Sequence, residues 1–336
     1  MSRSVHRRAL LTGLGTSAVG GLGAVAAAGP ASAAGGSTGT AAGSAASTAP
    51  AGHHGRPGHG DAPLIGRARG SRLHVMTFNI RMENTAQTKP GEADHWPERE
   101  PILVDLLERE QPTILGIQEG KYGQLAAIEQ SLPHHRMIGY GRQGGSADEY
   151  SAIFYDPRRL RVLEWDQFWL SDTPDVIGSA TWGNRVTRIV VWARMQDRRT
   201  GRELAMINTH FDHESENARI KSAQAMVDLF SDGALEGLPA IVTGDFNSPA
   251  EDSGAYTTLV GDGPMLDTWA SARKHLTRDW GTFPGYEDPV EGGDRIDWVL
   301  TTDDVTAHAV GINVHRSPAG RYPSDHAPVQ ALISLH

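Results

Sequence analysis

Residues 240–247 read Ala240-Ile241-Val242-Thr243-Gly244-Asp245-Phe246-Asn247. An apolar, partly β-branched run enters Gly244, which permits a tight turn. In extended backbone alternate side chains share a face, so Asp245 and Asn247 point one way and Phe246 points to the core. Asp245 is then a candidate to hold an attacking water or a metal ion, and Asn247 a candidate hydrogen-bond donor. The ordinary alternative, an Asx turn ahead of Pro249, stays open for this tetrapeptide alone.

The same layout recurs outward from this point. Leu73 to Ile80 reads as a strand that carries Asn79 at its end, and Thr113 to Gln118 as a short apolar strand stopped by Glu119-Gly120. Tyr150–Tyr155, Arg188–Met195, Glu203–Asn208, Ile296–Leu300 and Val329–Leu335 also read as strands. Ile102, Leu103, Leu106 and Leu107 recur at helical spacing with Pro97 near the start, and Ser215–Phe230 reads as a second helix. The alternation is irregular and several connections are short, which predicts antiparallel pairs and two packed sheets with helices outside. Polar residues fall repeatedly at strand ends: Asn79, Glu119, His210, Asp245, Asp297 and Asp325-His326. Strand-end loops on a rigid scaffold are where chemistry is usually presented.

These side chains are the types that metal-assisted hydrolysis of a phosphate ester calls for. Asn79 and Glu119 offer hard oxygens suited to Mg²⁺ or Mn²⁺. Taken singly, Asn79 also reads as a turn former and Glu119 as a helix cap. His210 is placed to donate to a phosphoryl oxygen, although a lone strand-end histidine is more often structural. Asp212 and His213 add candidate ligands or a solvated loop. Asp297 lies inside the apolar strand Arg295-Ile296-Asp297-Trp298-Val299-Leu300, where a carboxylate is costly unless paired. Pairing it with one ring nitrogen of His326 leaves the other nitrogen for proton transfer; pairing it with Arg295 is the alternative.

The order and spacing of TFNI with Asn79, QE with Glu119, NTH with His210, GDFN with Asp245 and Asn247, RIDWVL with Asp297, and SDHAPV with Asp325 and His326 resemble the endonuclease/exonuclease/phosphatase superfamily. The resemblance runs from Arg72 to the C-terminus. It implies an α/β fold of DNase I-like type, a four-layer α/β/β/α sandwich with two mixed sheets face to face and helices outside. It further implies Asn79, Glu119 and Asp325 at the metal, His326 as base or phosphate-gripping imidazole oriented by Asp297, and Asp245 and Asn247 placing the nucleophile. His210 becomes a phosphoryl-oxygen donor and Arg188 a substrate-binding residue. Arg81 departs from the pattern, because some nuclease members carry an acid two residues after the asparagine. The implied activity is a divalent-metal-dependent phosphoester hydrolase, with Mg²⁺ as the leading ion. An extracellular nuclease, a sphingomyelinase- or phospholipase C-like enzyme and an inactive binding module on the same fold are the alternatives.

The N-terminus sets the expected destination. Arg7-Arg8, a Leu/Ala/Gly/Val stretch from Leu10 to Ala28 and Ala31-Ser32-Ala33 predict a twin-arginine-type signal over residues 1–33, and therefore secretion. Residues 34–70, rich in Gly, Ala, Ser and Pro, predict a flexible linker in which His53, His54 and His59 are solvated. Residues 71–336 form the catalytic domain. The chain has no cysteine, so packing rather than disulfides stabilises it. It carries 31 Lys and Arg against 40 Asp and Glu; the leader holds three of the arginines and no acid, which leaves the mature chain at −12. That charge disfavours tight non-specific nucleic-acid binding, while nucleic acid stays open as a substrate. A monomer without membrane insertion after signal cleavage is expected.

Overall fold

The computed structural model describes residues 62–336, save 232–234. The expected signal over 1–33 and all of the linker up to residue 61 lie outside the described residues. In chain order the strands are β1 (Leu73–Asn79), β2 (Ile114–Gln118), β3 (Arg136–Ile138), β4 (Ile153–Tyr155), β5 (Leu160–Trp169), β6 (Ile189–Asp197), β7 (Glu203–His210), β8 (Ala240–Asp245), β9 (Leu266–Asp267), β10 (Asp297–Thr301), β11 (Val305–Ile312) and β12 (Val329–Leu335). The longer helices are α1 (Trp96–Glu110), α2 (Tyr122–Ser131) and α3 (Glu216–Ser231).

The strands form two mixed six-stranded sheets, ordered β11-β12-β1-β2-β4-β3 and β5-β6-β7-β8-β10-β9. Each sheet has one parallel pair among antiparallel ones: β1 with β2, crossed over by α1, and β7 with β8, crossed over by α3. Three apolar clusters separate four layers. Leu73, Val75, Ile114, Leu204, Met206, Ile241 and Val299 meet between the sheets. Met76, Phe78, Leu115 and Ile117 pack outward with α1 and α2, and Ala205, Ile207, Val242 and Trp298 pack outward with α3. Both faces of the central strands are therefore buried, which is why they read as continuous apolar runs and not as alternating ones.

Along the inner faces, the residues change character toward one end of the sandwich. Two positions beyond Val75, Met206 and Ile241 stand Thr77, Asn208 and Thr243; two positions further stand Asn79, His210 and Asp245. Asn208 bridges the sheets, accepting from Gln118 Nε2 at 2.8 Å and Thr243 Oγ1 at 2.9 Å. Its Nδ2 donates across to the carbonyls of Ile117 and Ala152 at 2.8 and 3.1 Å. Gly116 lets the sheets approach here, since a Cβ on it would lie 2.2 Å from Thr243 Oγ1 and 2.5 Å from Asn208 Oδ1. Gly116→Ala should therefore wedge the sheets apart below the polar end at about 1–3 kcal/mol, the usual cost of overpacking. Thermal melting checks this; an unchanged melting temperature would show that the bridge yields without cost.

One boundary is corrected. The linker was expected to run to residue 70, yet Leu64, Ile65 and Gly66 donate their N–H groups to the Glu110 carboxylate at 2.6, 3.1 and 3.0 Å. Glu110 is buried at the end of α1, and a buried carboxylate requires donors. His74 Nδ1 also meets the Gly66 carbonyl oxygen at 2.9 Å. Small and polar composition hid this docking because backbone N–H groups, not side chains, make it. Among the described residues, no helix is long and apolar enough to cross a membrane.

Candidate active site

Register brings the polar ends together. In the second sheet His210 pairs beside Asp245, and Asp245 beside Asp297. In the first sheet Asn79 closes β1, and Glu119 follows β2 with left-handed backbone, φ 61°. His326 enters from the loop before β12, whose Val329 pairs with Thr77 of β1. Ser324 Oγ pins that loop by donating to the Asn79 carbonyl oxygen at 2.7 Å and accepting from the His326 N–H at 3.2 Å.

Asp245 Oδ2 is the hub. Asn79 Nδ2 donates to it at 2.9 Å, His210 Nε2 lies 3.4 Å away and His326 Nε2 3.7 Å away. Asp245 Oδ1 accepts from the Asn247 N–H at 2.9 Å, so the Asx turn forms on one oxygen and Oδ2 is left to face the cluster. Phe246 turns to the core as expected and stacks on Trp298 with ring centroids 4.1 Å apart. Asp297 pairs with His326, not with Arg295: its Oδ2 is 2.9 Å from His326 Nδ1, while Arg295 reaches Asp267 at 3.0 Å and Glu251 at 3.3 Å.

Protonation follows from burial and charge. Burial and then the neighbouring Asp297 lift the Asp245 carboxyl to about 7, against the pull of His326 and Asn79. Burial alone would depress His326, but Asp297, Asp245 and Asp325 raise it to about 10. Asn79 Nδ2 stands 3.3 Å from His326 Nε2, a contact suited to a neutral ring. Three surrounding carboxylates outweigh that single contact and favour the imidazolium at neutral pH. His210 goes the other way: burial first, then Arg188 and Arg142, push it well below its ordinary value. Its Nε2 faces Asn247 Nδ2 at 3.0 Å, which selects the tautomer protonated on Nδ1. For Glu119, burial pushes the carboxyl up, but Asn79, His326 and Arg81 more than offset this and hold it below the usual range.

Two expected metal contacts take other partners. Asn79 turns nitrogen, not oxygen, toward the acids: Nδ2 donates to Glu119 Oε1 and Asp245 Oδ2 at 2.9 Å each, and Oδ1 accepts from the Arg81 N–H at 3.0 Å. Asp325 faces Arg81, with Oδ2 3.8 Å from its Nε. Ligand atoms of Glu119, His210 and Asp245 all lie within 4.8 Å of one another, so these three fit a single hard cation, with Glu119 as its anionic edge. His210 also departs from its expected donor role, because Nε2 accepts from Asn247 here.

Arg188 lines a small cavity with Glu119, His210 and Arg142. It is buried, its Nη2 meets His213 Nδ1 at 3.1 Å, and its Nε makes no hydrogen bond but lies 3.8 Å from Asp212 Oδ2. Asp212 is structural: its Oδ1 accepts from the N–H groups of Glu214 and Ser215 just before α3. Sequence reasoning missed Arg142, which pairs with Glu149 at 2.8 Å, and Phe283, whose ring lies 4.7 Å from that of His326. Neither ends a strand, so the strand-end signal passed them over. Thr282 was also missed; its Oγ1 accepts from the N–H groups of Ile296 and Asp297 at 2.9 and 3.1 Å and fixes the start of β10.

A sequence model described as the endonuclease/exonuclease/phosphatase family matches residues 76–326, which contain every one of these side chains. The chain belongs to that family. An endonuclease/exonuclease/phosphatase of known structure from Bacteroides vulgatus is 31% identical, with a TM-score of 0.72 over 80% of this chain and 100% of that one. A mannosyl-6-phosphatase from Bacteroides thetaiotaomicron is also 31% identical, with a TM-score of 0.72 over 78% of this chain and 100% of that one. An uncharacterised protein of Acanthamoeba polyphaga mimivirus is 27% identical over 193 residues, 55% of this chain and 70% of its own length. Endonuclease/exonuclease/phosphatase enzymes are phosphoester hydrolases and generally depend on a divalent metal, which agrees with the acid and imidazole cluster described above.

Proposed function

We propose that this chain is an exported, Mg²⁺- or Mn²⁺-dependent phosphoester hydrolase that works by in-line attack of water. The observation that carries this reading is the convergence of Asn79, His210 and His326 on Asp245 Oδ2, with Asp297 holding the other ring nitrogen of His326. A divalent ion, when bound at Glu119, would supply Lewis-acid stabilisation of charge on the phosphoryl oxygens. Asp245 orients the attacking water and takes its proton. Imidazolium His326 donates Nε2–H toward the phosphoryl group, and Asp297 holds the ring in place. Asn247 Nδ2 donates to His210 Nε2 and to the Phe211 carbonyl oxygen at 3.0 Å each, which steadies the turn beside Asp245, and Arg142 and Arg188 add positive charge at the neighbouring cavity.

A pH profile tests these roles. Asp245 must lose its proton, and its carboxyl stands at about 7 before a cation lowers it, so with metal bound kcat/KM should rise with pH along a limb at or below about 7. His326 must keep its proton, so the rate should fall as pH increases through about 10. Asp297→Asn removes the strongest raising influence on His326 and should move the alkaline limb down. A single rising limb that extends past pH 10 in the parent protein would contradict the donor role.

The substrate is tested with a panel assayed with and without added metal: sugar phosphates, inositol phosphates, nucleotides, RNA, single-stranded and duplex DNA, and sphingomyelin. The 31% identity with a mannosyl-6-phosphatase puts sugar phosphates first, and the acidic balance, −9 for the full chain, puts duplex DNA last. Hydrolysis of none of these classes would count against the reading. Export is checked by N-terminal sequencing of secreted protein, with Ala34 expected as the first residue.

A further inference from the structure

Arg81 is held with unusual care for a surface-proximal arginine. Its backbone is left-handed, φ 55°, which costs a residue with a Cβ about 1–2 kcal/mol. Three buried side chains hold it there. Asn79 Oδ1 accepts its N–H at 3.0 Å, and its carbonyl oxygen accepts from Gln124 Nε2 at 3.0 Å and Arg99 Nη2 at 3.2 Å. Strain fixed from several sides marks a position whose side-chain direction matters.

The guanidinium points into a ring of carboxylates. It lies 3.1 Å from Asp94, 3.5 Å from Glu119 Oε2 and 3.8 Å from Asp325. Asp94 is itself fixed, accepting from Tyr286 Oη at 2.7 Å and lying 3.4 Å from Arg99. The two oxygens of Glu119 are thereby divided. Oε2 faces Arg81 and the Met82 N–H, whereas Oε1 faces Asn79 and the Asp245 side.

We infer that Arg81 is a positioning residue that serves as the resident cation for Asp325 and for the outer oxygen of Glu119, keeping a divalent ion off that face and leaving Glu119 one ion on its Asp245 side. Two like charges a few ångströms apart repel strongly in a partly buried setting, so a second divalent ion cannot share these carboxylates while the guanidinium is there. The family resemblance implies Asp325 at the metal; the ion pair with Arg81 gives it a different cation. The inference rests on the metal-dependent reading above.

Mn²⁺ binding to the full chain tests it, by equilibrium dialysis and electron paramagnetic resonance, with Glu119→Gln subtracted to remove unrelated sites. The parent protein should bind one Glu119-dependent Mn²⁺ per chain with the six-line spectrum of an isolated ion. Glu119→Gln should weaken that site by at least ~10–100-fold, the scale seen even for partners of metal ligands. Asp325→Asn should leave its affinity nearly unchanged. Arg81→Gln should admit a second ion, raising the stoichiometry to two and broadening the spectrum by exchange between neighbouring ions. A merely structural Arg81 would change melting temperature without adding an ion, so a folded Arg81→Gln protein that still binds one Mn²⁺ overturns the inference. Two coupled ions in the parent protein, or Asp325→Asn as damaging to affinity as Glu119→Gln, overturn it too, even if Arg81→Gln does not fold. No Glu119-dependent Mn²⁺ at all would instead bring down the metal-dependent reading, and this inference with it.

Discussion

His326→Ala should lower turnover by about two to four orders of magnitude, the scale of losing a proton-transfer group or a charged transition-state donor. The expectation rests on Nε2 facing Asp245 at 3.7 Å and Nδ1 being held by Asp297 at 2.9 Å. Asp297→Asn should lose much of the same activity, because an amide supports neither the ring's fixed orientation nor its positive charge. The double variant should be scarcely slower than His326→Ala alone, since groups that act as a unit are not additive. Turnover and melting temperature are to be measured on the same three proteins. A purely structural pair predicts the reverse pattern, because Asp297 is buried with its Oδ1 already unpartnered, and removing the imidazole strands a buried charge. Near-normal turnover with a much reduced melting temperature would therefore end the catalytic reading of the pair while leaving the family intact.

Removal of metal should be as damaging. Excess chelator should abolish turnover, and Mg²⁺ or Mn²⁺ should restore it, because the candidate ligands are carboxylate and imidazole and the chain holds no thiolate. Glu119→Gln keeps the shape and loses the charge. It should raise the metal concentration needed for half-maximal rate by at least ~10–100-fold. Glu119 also accepts from Asn79, Arg81 and Met82, so its amide analogue loses part of that network, and melting temperature again serves as the control. Full activity in chelator would overturn metal dependence outright.

The elements that escaped the sequence reading share a weak periodic signal. Helix α2 opens Tyr122-Gly123-Gln124 and mixes small and polar residues, so no apolar stripe stands out. Strand β5 is an edge strand whose central residues Glu164, Trp165 and Asp166 are exposed, and it slips register between Val162 and Glu164. Strand β11 is bulged between Ala307 and Ala309. Of the elements read from sequence, β1, β2, β4, β6, β7, β8 and β10 contribute to two apolar clusters, whereas β12, α1 and α3 each pack on one with a regular apolar period. Burial on both sides forces apolar residues at most positions, and that is what a single sequence displays.

Sequence by itself determined which side chains stand at strand ends and which face they take. Asn79, His210 and Asp245 follow Val75, Met206 and Ile241 by four positions, so a period of two carries each of them past the inter-sheet core onto its polar end. Tertiary structure alone decided who pairs with whom. Asn79 meets Asp245 across 166 positions of chain and His326 across 247, and strand alternation carries no information at such separations. The choice of His326 over Arg295 for Asp297, of Arg81 as partner of Asp325, and of backbone donors from residues 64–66 for Glu110 all depended on register between strands and on where loops return. Periodicity records the environment of one residue at a time, whereas an ion pair or a proton relay is a property of two segments that only the packed sheets bring together.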